Sequence, residues 1–286
     1  MHVSIMLNWG AAGNVIAYNY SDGNYDDSAT NALLGDISVH GAHPQFNLWE
    51  GNSAIGLYPD SVWGSSSHNT AYRNWWRGTT QICPPYSSRG AQQSCHWGVQ
   101  AVRAVQIAFT VSSFNTLGNV VGSADMAALT HYNDGVNLLP QVASIVNPTS
   151  RSYDSAAYGY TWGYANLSDG GGGEGPGNSY STRFLHGDYN NASATTTWDS
   201  STPNHALPAS LYLTAKPAWW GSKTAWPAIG PDVLGGTGPN GHAYTIPSQT
   251  CYAGIASGAT FNADTCYPSV AGTTPIAPTN LTVIVK

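Results

Sequence analysis

Charge is what this chain has least of. Only 8% of its 286 residues are Asp, Glu, Lys or Arg, where a soluble domain usually carries about 25%. Lysine stands at three positions only, Lys216, Lys223 and Lys286, and glutamate at two, Glu50 and Glu174. The six arginines form no basic run and the formal net charge is −6, which excludes a nucleic-acid footprint. No apolar stretch reaches the ~20 residues of a membrane span, so no membrane partner is expected. The opening "MHVSIMLNWG" has no basic start and no long apolar run, and does not read as a signal peptide. Phosphate-binding loops, dinucleotide fingerprints and G-x-S-x-G elbows are also missing.

What fills the space is Asn, Ser, Thr, Gly and Tyr. The 32 Gly and 17 Pro exclude long helices and predict many short strands and turns. The 11 Trp and 17 Tyr exclude disorder, which goes with charge and few aromatics. The four cysteines fall in two local pairs, Cys83 with Cys95 and Cys251 with Cys266. Neither pair has the C-x2-C spacing of a metal site, and each would close a short polar loop. Two disulfides, and with them a secreted or cell-surface location, are expected. Four reduced buried thiols are the alternative. Each bridge would contribute about 3 kcal/mol in the loop-entropy model.

One phrase repeats: "NVIAYN" from Asn14, "NLWEGN" from Asn47 and "NTAYRN" from Asn69. A fourth copy, "FNTLGNVVG" from Phe114, reads as one residue shorter. A short strand and turn cannot bury an apolar face alone, but stacked copies can. Asparagines in matching positions can then bond one another in ladders. Long loops between copies, such as 21–44 and 77–100, would wall a groove on the flank. Further on, "STRFLHGDYNNAS" from Ser181 reads as another coil, and "LPASLYLTAKPAWWG" from Leu207 as strand up to Pro217.

The segments "HGAHPQFNLWEGN", "WGSSSHNTAYRN" and "LPASLYLTAKPAWWG" resemble those of secreted bacterial right-handed parallel β-helix proteins of the pectate-lyase-like superfamily. The resemblance covers about residues 10 to 240. It implies an all-β fold, a right-handed parallel β-helix (β-solenoid) with long inserted loops, over residues 1–270. Residues 271–286 then read as a Pro-rich linker and the start of a further module. Earlier coils are expected to be missing before Met1, leaving solenoid ends that make a contact. The superfamily holds lyases, glycoside hydrolases, esterases, epimerases and phage tailspikes, so the resemblance implies a fold more than an activity.

Reactive side chains are densest between His40 and Arg77, interleaved with tryptophan. Sugar rings stack on aromatic faces, so a polysaccharide is the expected partner. Hydrolysis needs two carboxyls, about 5 Å apart for retention and about 6.5–9.5 Å for inversion; Glu50 and Asp60 are the pair. A lyase needs a base and a cation to stabilise an enolate. His68 or Arg73 would be the base, Arg73 by resemblance alone, with Arg77 as the cation. Trp63, Trp75, Trp76, Arg77 and His43 are the expected substrate contacts. Each of the Trp75–Trp76 and Trp219–Trp220 pairs should turn one ring outward. Glu50 and Arg73 stand one column apart, so on regular strands they face opposite sides unless the chain bends at a repeat.

No cofactor is required by either chemistry. Asp22, Asn24 and Asp26 in "DGNYDD" have the spacing that opens a calcium loop, but the glycine and the closing glutamate of an EF-hand are absent. An acidic turn is the first reading there, a looser calcium site the alternative. His131–Asp134 and His186–Asp188 read as structural. The sequence therefore points to a secreted enzyme cleaving a polysaccharide by hydrolysis or β-elimination. A non-catalytic glycan-binding, adhesive or structural module is the alternative.

Overall fold

The computed structural model describes residues 3–26, 32–82, 95–130, 136–146, 155–164, 177–222, 224–255 and 259–267. Its strands are short because a Gly, Asn or left-handed residue interrupts every apolar run. The chain visits three sheets in rotation. The first holds Ile5–Asn8, Ile37–His40, Leu57–Pro59, Arg103–Ala108, Ala157–Tyr164 and Gln141–Val146, in that spatial order and all parallel. The second holds Val15–Ala17, Leu48–Glu50, Thr70–Tyr72, Asn115–Leu117 and Phe184–His186, also parallel. In the third, Ser53–Ala54, Trp75–Trp76, Val120–Val121 and Asp188–Asn190 run parallel, and Thr195–Thr197 closes the edge antiparallel.

The repeat columns are the register of the second sheet. Val15, Leu48 and Thr70 are partners, as are Ile16, Trp49 and Ala71, then Ala17, Glu50 and Tyr72. The fourth copy is not shorter: Asn115 pairs with Thr70, so Phe114 occupies the asparagine column after Asn69. Phe114 is buried and stacks on Trp49 at 6.1 Å, trading a ladder bond for apolar packing. Alternate side chains of the sheets meet inside, where Trp49, Trp76, Val105, Ile107, Phe114 and Trp162 form the core.

Left-handed corners join the sheets. Tyr18, Gly51, Arg73, Gly118 and Gly187 share one corner column, all with φ between +51° and +78°. The next residue is each time an amide or its acid, and these make the longer ladder. Oδ1 of Asn52 accepts from the backbone N and Nδ2 of Asn19 at 2.9 and 3.0 Å. Asn52 bonds Asn74, and Asn74 bonds Asn119, in the same way. Asn119 donates both bonds to Oδ1 of Asp188, at 2.7 and 3.1 Å. A shorter ladder runs Asn14, Asn47, Asn69. Each bond contributes about 1 kcal/mol net, and together they fix which coil lies on which.

The all-β solenoid expected through residue 270 is overturned. The fold is mixed α/β: parallel-rich sheets, with α1 (Gly177–Ser181), α2 (Pro247–Ala253) and α3 (Ala263–Cys266) among the described residues. After Thr197 no described residue belongs to a strand; turns, 3-10 segments and helices follow. The expected strand from Leu207 to Pro217 is absent for the same reason. Pro203, Pro208, Pro217, Pro227, Pro231, Pro239 and Pro247 each remove an amide donor, so no ladder can continue through them. This segment packs instead on the outer face of the third sheet, where Trp220, Ile229, Ala243 and Ile246 bury against Val120 and Tyr189. The tail 271–286, Glu174, Cys83 and the His131–Asp134 cluster lie outside the described residues.

Candidate functional site

Glu50 ends the strand Leu48–Glu50 and Gly51 turns the corner behind it. The bend that a shared Glu50–Arg73 site would require is present at every coil, because Tyr18, Gly51 and Arg73 are all left-handed there. Both side chains therefore reach the same flank, beneath residues 207–232. Neither is open to substrate. Glu50 is 1% exposed. Its Oε1 accepts from the Tyr18 hydroxyl at 2.9 Å and its Oε2 from the Leu211 amide at 2.8 Å. Burial raises its pKa, and bonds from Ser210, Leu211 and Tyr18 hold it down in part. The space beside it, lined by Arg73, Ala209, Trp220 and Ile229 among others, is about 10 Å³. That is room for one water at most, far short of a pyranose.

Arg73 is a clamp. Its Nη1 and Nη2 fork onto the two Asp232 oxygens at 2.7 and 2.8 Å. Its remaining donors go to the carbonyls of Leu207, Pro208 and Ile229 and to the Tyr72 hydroxyl. Burial alone would lower its pKa, but the Asp232 and Tyr72 partners raise it. The guanidinium has its donors engaged, and these partners favour its charged form. Gly230 is required opposite it, since a Cβ there would stand 2.2 Å from Nη1.

The other expected residues scatter. Asp60 lies beyond the first sheet, where Oδ2 meets His40 Nδ1 at 2.7 Å and Oδ1 takes the Val62 amide. The Glu50–Asp60 pair is thus not assembled: each acid is held by its own partners, at strands of different sheets. Arg77 is a second clamp, bonded to the Tyr20 hydroxyl, the Ser21 carbonyl and Asp22. Trp76 is core, and Trp75 is half-buried with its indole N–H on the Gly122 carbonyl. His43, Trp63 and His68 are exposed on a different corner. As expected, one ring of each tryptophan pair turns out: Trp219 is exposed while Trp220 is buried.

Of the residues read as a calcium loop, Asp22 and Asn24 have partners within the chain. Asp22 receives bonds from Tyr20, Gly23, Arg77 and Thr80, and the buried Asn24 donates to Asp36. A cationic Arg77 on Asp22 opposes a second cation. Among the described residues no three His, Cys, Asp or Glu side chains gather as metal ligands.

A larger cavity lies elsewhere. It measures about 630 Å³ and opens between the first coil and the C-terminal helices. Its aromatic walls are Tyr18, Tyr20, Trp219, Tyr252, Phe261 and Tyr267. Asn19 and Ser248 add polar groups, and no lining residue among those described is charged. Tyr20 and Tyr252 lie 5.2 Å apart, Tyr18 and Trp219 5.7 Å, Trp219 and Tyr267 5.7 Å. The Cys251–Cys266 disulfide joins α2 to α3, with Cα atoms 5.4 Å apart, and so sets one wall. The Ser248 hydroxyl pins α2 to the Tyr18 carbonyl at 2.7 Å.

Sequence reasoning marked the cysteine loop but not the cleft. The signal was Tyr252, Phe261 and Tyr267 around the bridge, whose partners Tyr18 and Tyr20 lie more than 200 positions upstream. Asp36 and Asp232 were also missed as a buried and a clamping acid, whereas Asp188, read as structural, is a buried member of the ladder. No helix among the described residues is long and apolar enough to cross a membrane. No family model, curated protein or solved structure matches the chain.

Proposed function

We propose that this chain is a non-catalytic carbohydrate-binding module of a secreted protein, and that the aromatic cleft holds the glycan. The observation that carries this reading is the contrast between two cavities. The 630 Å³ cleft is walled by rings, hydroxyls and an amide, with no charged group among its described residues. The one buried acid of the expected catalytic pair has about 10 Å³ beside it. Rings with polar edges suit sugars, which present apolar C–H faces and hydroxyl rims. The Cys251–Cys266 bridge is compatible with an oxidising, extracellular setting.

The test is a panel of soluble polysaccharides and oligosaccharides, read by affinity electrophoresis, reducing-end release and absorbance of unsaturated products. Binding without either product is expected. Tyr252→Ala, at a rim position 60% exposed, should weaken binding about tenfold, the loss of roughly 1.4 kcal/mol. Cleavage that persists in the purified protein would overturn the reading.

A further inference from the structure

A second surface carries rings that the fold does not use. Each coil turns from the first sheet to the second through a corner near residues 9–13, 41–46 and 63–68. Backbone bonds hold these corners in step: Gly10 N to Ala42 O at 2.9 Å, His43 N to Ser65 O at 2.9 Å, Phe46 N to His68 O at 3.1 Å. Three coils thus present one rigid face, at the ~4.8 Å repeat of neighbouring strands.

At this corner the left-handed positions carry Trp9, His43, Phe46 and His68, with φ of 40°, 66°, 54° and 52°, beside Gly10, Gly13, Gly41 and Gly64. An L side chain there is strained relative to the ordinary basin, where glycine is not. The strained rings stay mostly exposed. Trp9 is 61% exposed and Phe46 62%, Trp63 beside them is 65% exposed, and both histidines are exposed. The Trp9 ring lies against Gly41 of the next coil, where a Cβ would stand 3.1 Å from it. Phe46 and His68 stack at 5.3 Å. Strain kept at exposed aromatic positions is the mark of a contact surface.

The charge of the face selects its partner. None of its five rings carries a fixed charge, and Asp60, three residues before Trp63 in the chain, is paired with His40 at 2.7 Å. Such a face neither attracts phosphate backbones nor anionic lipid, and it matches an uncharged polymer. Rings on consecutive coils form a rigid strip, and hydroxyls and amides stand between them at Gln45, Ser65 and Ser67. We infer that the Trp9–Phe46–Trp63 corner is a flat binding strip for the surface of an insoluble, uncharged polysaccharide, separate from the cleft. This inference rests on the carbohydrate-binding reading above.

The probes are microcrystalline cellulose, chitin and their soluble oligosaccharides, with neutral phosphatidylcholine vesicles as a control. The variant is Trp9→Gly combined with Phe46→Gly, which removes rings and relieves the left-handed strain together. Retention on the insoluble probe should fall at least tenfold. The thermal midpoint should hold or rise, and soluble-oligosaccharide binding should be unchanged. Trp63→Ala, at a position without positive φ, should lower retention in the same direction. The inference is overturned if retention is unaffected, if the midpoint falls, if vesicles capture the wild type, or if the wild type is a dimer that the variant splits. Tyr252→Ala losing both kinds of binding while the corner variants lose neither would sink the strip and leave the cleft standing. No retention and no soluble binding by the wild type would remove both.

Discussion

Replacing Asp188 with asparagine completes a ladder whose last row is an acid. In the four earlier rows the column residue is Asn19, Asn52, Asn74 and Asn119. Asp188 is 1% exposed, and burial raises its pKa from 3.8 to about 6 in spite of bonds from Tyr160 and Asn119. A carboxyl raised in the fold favours its neutral form. Its contribution to stability is complete below about pH 4 and is lost as pH rises through about 6. At 1.36 kcal/mol per pKa unit, that loss is about 3 kcal/mol at pH 7.5. Asparagine keeps the Oδ1 acceptor for both Asn119 bonds. Its Nδ2 would face the Tyr160 hydroxyl, which now donates to Oδ2 and can rotate to accept. The bonds from Tyr160 and Asn119 are already contained in that raised value. The net expectation for Asp188→Asn is a gain of about 3 kcal/mol at pH 7.5 that vanishes at pH 4. Urea midpoints of the variant and wild type at both pH values measure it, and the difference cancels other titrating groups. A difference that does not change with pH, or a loss at pH 7.5, would refute the argument.

Asp36 makes a contrasting case: burial also raises it to about 6, but its oxygens take the Ile55 amide and Asn24 Nδ2. Asp36→Asn sets an amide against a fixed N–H, so it should destabilise at pH 4, again read by urea midpoint. Arg73→Ala should cost about 1–3 kcal/mol, because the carbonyls it binds lose their donor while the half-exposed Asp232 returns to water, and should open residues 207–232 to limited proteolysis; unchanged protease resistance would contradict the clamp. Glu50→Ala leaves the Leu211 amide and Tyr18 hydroxyl unsatisfied and should cost about 2–4 kcal/mol, whereas Glu50→Gln should stay within about 1 kcal/mol of wild type by thermal melt. Cys251→Ser with Cys266→Ser should lower oligosaccharide affinity in titration calorimetry, because the bridge holds the α2–α3 wall across a separation of 15 residues.

What could be read in advance divides along a physical line. The asparagine columns were legible because register in a parallel stack repeats the same residue at the same place, and Asn14, Asn47 and Asn69 do so with no outside help. Phe114 was misplaced because the column rewards burial as well as amide pairing, and a ring stacked on Trp49 satisfies it. The last part of the chain was misread for a different reason. The described residues after Thr197 build no repeat of their own, and the part between Leu207 and Asp232 is fastened by two side chains already present on the flank. Arg73 collects the carbonyls of Leu207, Pro208 and Ile229, and Glu50 collects the Leu211 amide. A reactive-looking acid and base within one repeat were therefore an address for this segment. The only glutamate in the repeat is spent on the Leu211 amide and the Tyr18 and Ser210 hydroxyls, which no spacing rule could disclose. The same segment, once fastened, brings Trp219 to Tyr18 and makes the cleft. Catalytic-looking charge fastens the wall, and the cleft is lined by uncharged rings whose partners lie more than 200 residues apart.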